Sequence, residues 1–310
     1  LCLIPYHLDH KLLFMRMIQK YFGPITSLVD SMALQPDLNN LEVWSNKNSI
    51  QFNPSKCKIL TVTRKRNPIA FPYKLTSNDL ARCDEEGDLG ITITYNLKWD
   101  SHITKIRSTA NKCLGLLKRT CCDLPDTRVR RALYLSLVKS HLSYGSQVWF
   151  PETATLKKTI EGVQRRASLW ILRLKRGDLT YVDRLKKLDL LPLSYDREIK
   201  DLIFYYKCRY GEIDLDIDIF TPTVSSRTRL GSSMYLQSPY CKTSTFKASY
   251  FNRIVHLWNL ILKLAPACTF VTLGSFKTFL YKTYKELLTT TFDPDLPCTY
   301  SLYRTCACPS

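Results

Sequence analysis

The chain has 310 residues, 45% hydrophobic and 23% charged, a balance that fits one large folded core or two ordinary ones and excludes general disorder. Its 45 Lys and Arg against 27 Asp and Glu leave a formal charge of +18, which suits a polyanionic partner, RNA or DNA before an anionic membrane face. No apolar run reaches the roughly 18 residues of a membrane span, and the 12 cysteines are too widely spread for a small disulfide scaffold, which favours intracellular thiols.

The opening LCLIPYHLD begins at Leu rather than Met and reads like the inside of a domain, without the basic start and apolar stretch of a signal peptide. After the Gly23-Pro24 break, the spacing of Leu34, Leu38, Leu41 and Trp44 predicts a helix over 28–48, with Pro36 near its beginning. CKILTVTRK alternates as a strand over 57–65 and runs into the basic cluster Arg64, Lys65 and Arg66. A second extended piece covers 68–75. A third, DLGITIT at 88–94, follows an acidic turn at Asp84–Gly87. These pieces predict a small antiparallel sheet against the helix, with Leu89 in the core.

Helical periodicity takes over after Asp100. Ile103, Ile106, Ala110, Leu114 and Leu117 form one apolar face, with Lys105, Arg107, Lys112, Lys118 and Arg119 around the other sides. Val129, Leu133, Leu137 and His141 predict a second helix ending at Tyr144-Gly145. Leu156, Ile160, Val163, Ala167 and Trp170 predict a third over 152–173, leaving Lys157, Lys158, Arg165 and Arg166 wet. Thr180 with Asp183 resembles a capping box for a short helix. Beyond Pro192, Ile199, Leu202, Ile203 and Tyr206 mark an amphipathic helix that stops at Gly211. Further helices are expected over 247–264 and 275–289. The expected organisation is 1–100, a small α+β piece; 101–211, a basic helical bundle; 212–246, a linker or surface loop; 247–289, a helical extension; and 290–310, a flexible tail.

NPSKCKILTVTRKR, EEGDLGITI, LKWDSHI, LYLSLVKSHLSYGSQVW, EGVQRRASLWIL, SYFNRIVHLWNL and GSFKTFL follow one another in an order that resembles the reverse transcriptases of retrotransposons without long terminal repeats. The chicken-repeat-like and jockey-like elements are the nearest in appearance. The resemblance implies an α+β, mostly helical carboxyl-terminal fragment. It would comprise a partial polymerase palm, a segment supporting the primer at Leu89 and Gly90, a helical thumb over 99 to about 210, and a helical extension. It further implies RNA template and DNA primer, or their hybrid, as partners. The upstream palm, fingers and endonuclease regions would lie outside the chain. The parental element works in the nucleus and in cytoplasmic ribonucleoprotein particles, so an intracellular location is expected.

In that family two adjacent aspartates follow a Tyr/Phe-Ala pair. Laid over PYHLDHKLL, the four positions fall on Tyr6, His7, Leu8 and Asp9, so Leu8 replaces the first aspartate and Asp9 alone keeps a catalytic ancestry. Asp9 reads equally as an ordinary turn aspartate. The complete family enzyme uses Mg²⁺, and nucleotidyl transfer needs two such ions about 3.5–4 Å apart, each held by oxygen ligands. Leu8 supplies none, so the chain alone is expected to be catalytically incomplete and no metal ligand is assigned.

Each basic group has two readings, phosphate contact or simple solvation. The groups are Lys56, Lys58, Arg64, Lys65 and Arg66; Lys105, Lys112, Lys118 and Arg119; Arg128, Arg130 and Arg131; and Lys157, Lys158, Arg165 and Arg166. The five tryptophans read as core before base-stacking platforms. Cys298, Cys306 and Cys308 lack the spacing and the histidine of a zinc knuckle. Two further functions stay open beside the polymerase fragment: a general nucleic-acid-binding helical protein, and a non-functional transposon remnant.

Overall fold

Helix α1 (Leu28–Lys47) is the first element of the computed structural model, which describes residues 20–49, 52–215, 235–265 and 272–302. Its start is fixed chemically. The Ser27 hydroxyl accepts from Asp30 N, and the Asp30 carboxylate accepts in return from Ser27 N. Thr26 donates to the same carboxylate from its hydroxyl and its backbone, and these hydrogen bonds hold the Asp30 pKa down to about 2. Pro36 stands inside the helix rather than near its beginning. It lies on the exposed side, where water can satisfy the carbonyl freed by the missing N–H.

The expected single antiparallel sheet is instead three two-stranded ones. Strand β1 (Lys58–Leu60) pairs in parallel with β4 (Ala81–Cys83), placing Lys58 opposite Ala81 and Leu60 opposite Cys83. Between them β2 (Lys74–Leu75) and β3 (Asn78–Asp79) make a minimal hairpin, and its reversal leaves β4 running in the direction of β1. The third sheet joins β5 (Glu85–Asp88) to β6 (Ile91–Thr94). The acidic segment expected as a turn is therefore mostly strand, because each of its residues from Glu85 on has a partner across the hairpin. Gln35 ties α1 to this unit like a neighbouring strand: its amide donates to Lys74 O (2.9 Å) and accepts from Lys74 N (3.0 Å). Glu42 accepts from Thr76 N at 3.1 Å. Among the described residues, the buried apolar side chains of this unit are Tyr73, Leu75 and Ile91.

The chain divides between Lys98 and Trp99, and the second unit is helical. Helix α2 (Asp100–Thr120) buries Ile103, Ala110, Leu114 and Leu117. It packs on α5 (Ala154–Leu172) and on a composite helix made of α3 (Thr127–Leu133), a π-helical turn (Tyr134–Lys139) and α4 (Ser140–Ser143). The apolar stripe expected in that composite helix is out of phase. Arg130, Tyr134, Val138 and Leu142 face inward, whereas Val129 and Leu137 are exposed. The widened π turn spaces the inward positions four apart and lets a long cation occupy one of them.

Helix α6 (Tyr181–Lys187) starts at Thr180, whose hydroxyl accepts from Asp183 N. Helix α7 (Leu193–Arg209) then runs through the middle of the unit, against α4, α5, α9 (Tyr250–Leu264) and α10 (Leu273–Thr290). It is not amphipathic as expected, since Asp196, Arg197, Glu198 and Asp201 are buried too. Arg253 donates to both Asp201 oxygens (2.9 and 3.2 Å) and to the carbonyls of Ser146 and Gln147, closing the 145–150 loop. Asp196 accepts from Lys139 and Lys200 at 2.8 and 2.9 Å. Glu161 takes the Tyr181 hydroxyl and Leu193 N. Paired in this way, the buried charges avoid the full cost of desolvation.

Short helix α8 (Ser244–Ala248) begins inside the segment expected as a loop. Part of the expected flexible tail is also packed. Phe292 and Tyr300 are buried, Tyr195 donates to Thr299 O at 2.8 Å, and Glu198 accepts from Tyr284, Ser301 and Leu302 N. Trp149 and Trp258 are core residues. The chain as described is a mixed α+β fold, mostly helical, with small antiparallel and parallel sheets. No described helix is long and apolar enough to cross a membrane.

Candidate nucleic-acid interface

Helix α2 supplies the longest basic face. With its apolar stripe turned inward, Lys105, Arg107, Lys112, Lys118 and Arg119 are all exposed. Lys105, Lys112 and Arg119 recur every seven residues, which lines them along one side over about 21 Å. Lys118 and Arg119 also sit in the last turn, where the helix dipole favours cations. Arg128, just inside α3, is exposed as well. Such a row can follow a phosphate backbone without reading sequence.

Other basic residues expected beside it serve the fold. Arg130 is 3% exposed and donates to the carbonyls of Leu124, Trp170 and Cys122 at 2.6, 2.7 and 2.9 Å. Its guanidinium clamps the 121–124 turn to the end of α5, so it presents nothing to a phosphate. Arg131, half-buried, donates to Leu188 O and Asp189 O (2.6 and 3.0 Å). Of the four basic residues on α5, Lys158 alone is exposed. Lys157 is half-buried with its ammonium 5.6 Å from the Phe150 ring centre, and burial pulls its pKa down. Arg165 donates to Pro294 O and Tyr300 OH, and Arg166 to Asn111 Oδ1 at 2.8 Å. The expectation that all four stay wet holds for Lys158 and is corrected for Lys157, Arg165 and Arg166; the partners of Arg165 and Arg166 are remote in sequence, on the carboxyl-terminal segment and on α2.

In the first unit, Lys56, Arg64, Lys65 and Arg66 are exposed. Lys58 pairs with Glu86 at 2.9 Å, and this contact raises the Lys58 pKa while lowering that of Glu86. Leu89 is not a core residue. It is 50% exposed at the tip of the β5–β6 hairpin, with φ +46°, followed by Gly90 at φ +81°. Two successive positive φ values give a tight turn whose twist suits the flanking strands, and Gly90 adopts it freely where Leu89 is strained. The tip thus exposes backbone, while Asp88 beneath it is buried and ion-paired with Lys20.

Sequence reasoning misses Lys186 and Lys187 on α6 and Lys277, Lys282 and Lys285 on α10. Lys285 reaches Asp189 at 2.6 Å, beside the carbonyl that Arg131 binds. The signal that could have found the α10 lysines is the polar side of that helix's periodicity.

Asp9, Cys306 and Cys308 lie outside the described residues, and Cys298 is half-buried. Among the described residues no three His, Cys, Asp or Glu side chains group as a metal site. Leu8 and Asp9, which the resemblance sets on the two aspartate positions, lie outside the described residues. Compared with protein-family models, with curated proteins and with solved structures, the chain has no match.

Proposed function

We propose that the chain is the carboxyl-terminal part of a retrotransposon reverse transcriptase, spanning late palm, thumb and helical extension, and that it holds RNA template and DNA primer without a complete catalytic centre of its own. The single observation that carries the grip is the exposed row Lys105, Lys112 and Arg119 with Arg107 and Lys118 beside it, on a helix whose other side is firmly buried. The polymerase identity rests on the ordered sequence resemblance. In this reading α2 and Arg128 follow the phosphates of a hybrid duplex, and the exposed Leu89-Gly90 tip offers backbone to the primer end. Lys56, Arg64, Lys65 and Arg66 add positive charge in the first unit.

A second reading is a general nucleic-acid-binding helical protein. It is favoured by the core of the helical unit, whose buried acids Asp196, Asp201 and Glu198 all have partners among the described residues of that unit. The two readings differ in ligand preference. The purified 310-residue chain is titrated with a labelled RNA-template/DNA-primer hybrid, with single-stranded RNA, duplex DNA and heparin as comparators. The polymerase reading expects preference for the primed hybrid and no primer extension with Mg²⁺. Equal binding to every polyanion removes it in favour of the second reading, and Mg²⁺-dependent extension overturns the claim of incompleteness.

A further inference from the structure

We propose that the outer face of α10 is a second binding surface, specific for single-stranded nucleic acid, in which Lys277, Lys282 and Lys285 meet phosphates and an unpaired base stacks on Tyr281. α10 buries Phe276, Leu280, Tyr284 and Leu288 and packs on α7. Its other side carries these three lysines and Tyr281 on an open face, with Thr278, Glu286 and Thr289 beside them. Lys277, Tyr281 and Lys285 are spaced four apart, so they form one row about 12 Å long with the ring between two ammonium groups.

Charge and shape select the occupant. Lys285 shares its charge with Asp189, but Lys277 and Lys282 have no acidic partner among the described residues. Tyr281 is 42% exposed, with Lys277 and Lys285 one turn away on either side. A cationic face with an aromatic platform binds strands whose bases are free to leave the stack, which a paired duplex does not offer. The surface is distinct from the α2 row: α2 packs on α5, whereas α10 packs on α7. Simultaneous use of both faces would hold a duplex and an unpaired strand on one molecule, a gain in avidity without new contacts. The α10 surface does not depend on the proposed polymerase grip.

The test uses the full chain and a labelled oligouridine, followed by fluorescence anisotropy across a salt series. Tyr281→Ala is expected to weaken oligouridine binding by about 5-fold or more, the lower bound for loss of one stacked base. Lys277→Gln/Lys282→Gln is expected to lower the salt slope by about 1.4, at roughly 0.7 per single-strand phosphate contact. Both variants are expected to bind the hybrid duplex like the parent chain. The lysine pair keeps the test valid if the partly buried tyrosine cannot be removed without unfolding. Oligouridine binding by the lysine variant within about 2-fold of the parent at every salt overturns the proposal, as does parental binding to anionic phosphatidylserine vesicles in preference to oligouridine. Failure of α2 substitutions to affect the hybrid would strike the polymerase reading and leave this one standing.

Discussion

The two units of the chain are stabilised differently. Among the described residues of the first, through Lys98, the buried apolar side chains are Tyr73, Leu75 and Ile91, and polar ties to backbone such as Gln35 to Lys74 join its elements. The second buries whole helix faces and places acids and bases inside, with Asp201–Arg253 and Asp196–Lys139 under the core. A thin core leaves a unit dependent on individual hydrogen bonds, each worth about 1 kcal/mol net. A thick core can carry buried ion pairs, but losing one partner of such a pair is costly.

The sharpest way to break this comparison is Arg253→Ala. It leaves Asp201 buried and unpaired, and the helical unit is expected to lose about 3–5 kcal/mol. Next comes Tyr300→Ala, which empties a site 1% exposed and should cost about 3 kcal/mol. Denaturant melts followed by amide exchange check both, with loss of protection expected in the helices rather than in β5–β6. If Tyr300→Ala is neutral, the carboxyl-terminal segment is not part of the core.

Acid separates the units through single groups. His102, buried between Trp99 and Trp149, has its pKa pushed down to about 4, first by burial and then by Lys105. A base with a depressed folded pKa adds stability above its unfolded value near 6.5, and that contribution is lost as pH falls toward 4. Asp30 in the first unit keeps its contribution down to about pH 3.8 and loses it as pH falls toward 2. Glu198 runs the other way. Burial raises its pKa, so its contribution is full below the unfolded value and declines as pH rises through the folded one. The stability difference between the parent and His102→Leu should therefore change between about pH 7 and 4, and that for Asp30→Asn only below about pH 4. A flat His102 comparison across that range would contradict the assignment.

Smaller effects belong to the first unit. Gln35→Ala removes two hydrogen bonds to Lys74 and is expected to cost about 1–2 kcal/mol, with exchange rising at β2 and β3 alone. Leu89→Asn relieves a positive φ at an exposed tip and should stabilise by about 1 kcal/mol or less, measured as a shift in denaturation midpoint.

The parts that can be read from the sequence share a simple rule. α2, α5, α9 and α10 show apolar residues at helical spacing with polar ones opposite, and this pattern is enough to place them, whereas α1 buries Ser31 and Ser45 and leaves Val29, Met32 and Val43 exposed. α7 lacks the pattern, because Asp196, Arg197, Glu198 and Asp201 look like a solvent face until the helices that pair with them are known. In the composite helix the apolar pattern points one position away from the buried side, since Arg130 takes an inward place and the π turn alters the spacing. Charge fails as a guide to the site for the same reason. Nothing local separates Arg130, which binds carbonyls outside its own helix, from Lys112, which meets water. Leu89 misleads by its apolar side chain, although the Leu-Gly pair between two alternating runs is itself a hairpin signal.

The central claim, that α2 grips a nucleic-acid backbone, is tested most directly by the salt dependence of hybrid binding for Lys112→Gln/Lys118→Gln/Arg119→Gln. All three residues are exposed, so stability should fall by no more than about 1–2 kcal/mol, the share of the helix dipole at Lys118 and Arg119. Weaker binding to the RNA–DNA hybrid is expected, with a salt slope reduced by up to about 3, roughly one per lost phosphate contact. An unchanged affinity and slope in a folded variant would contradict the claim.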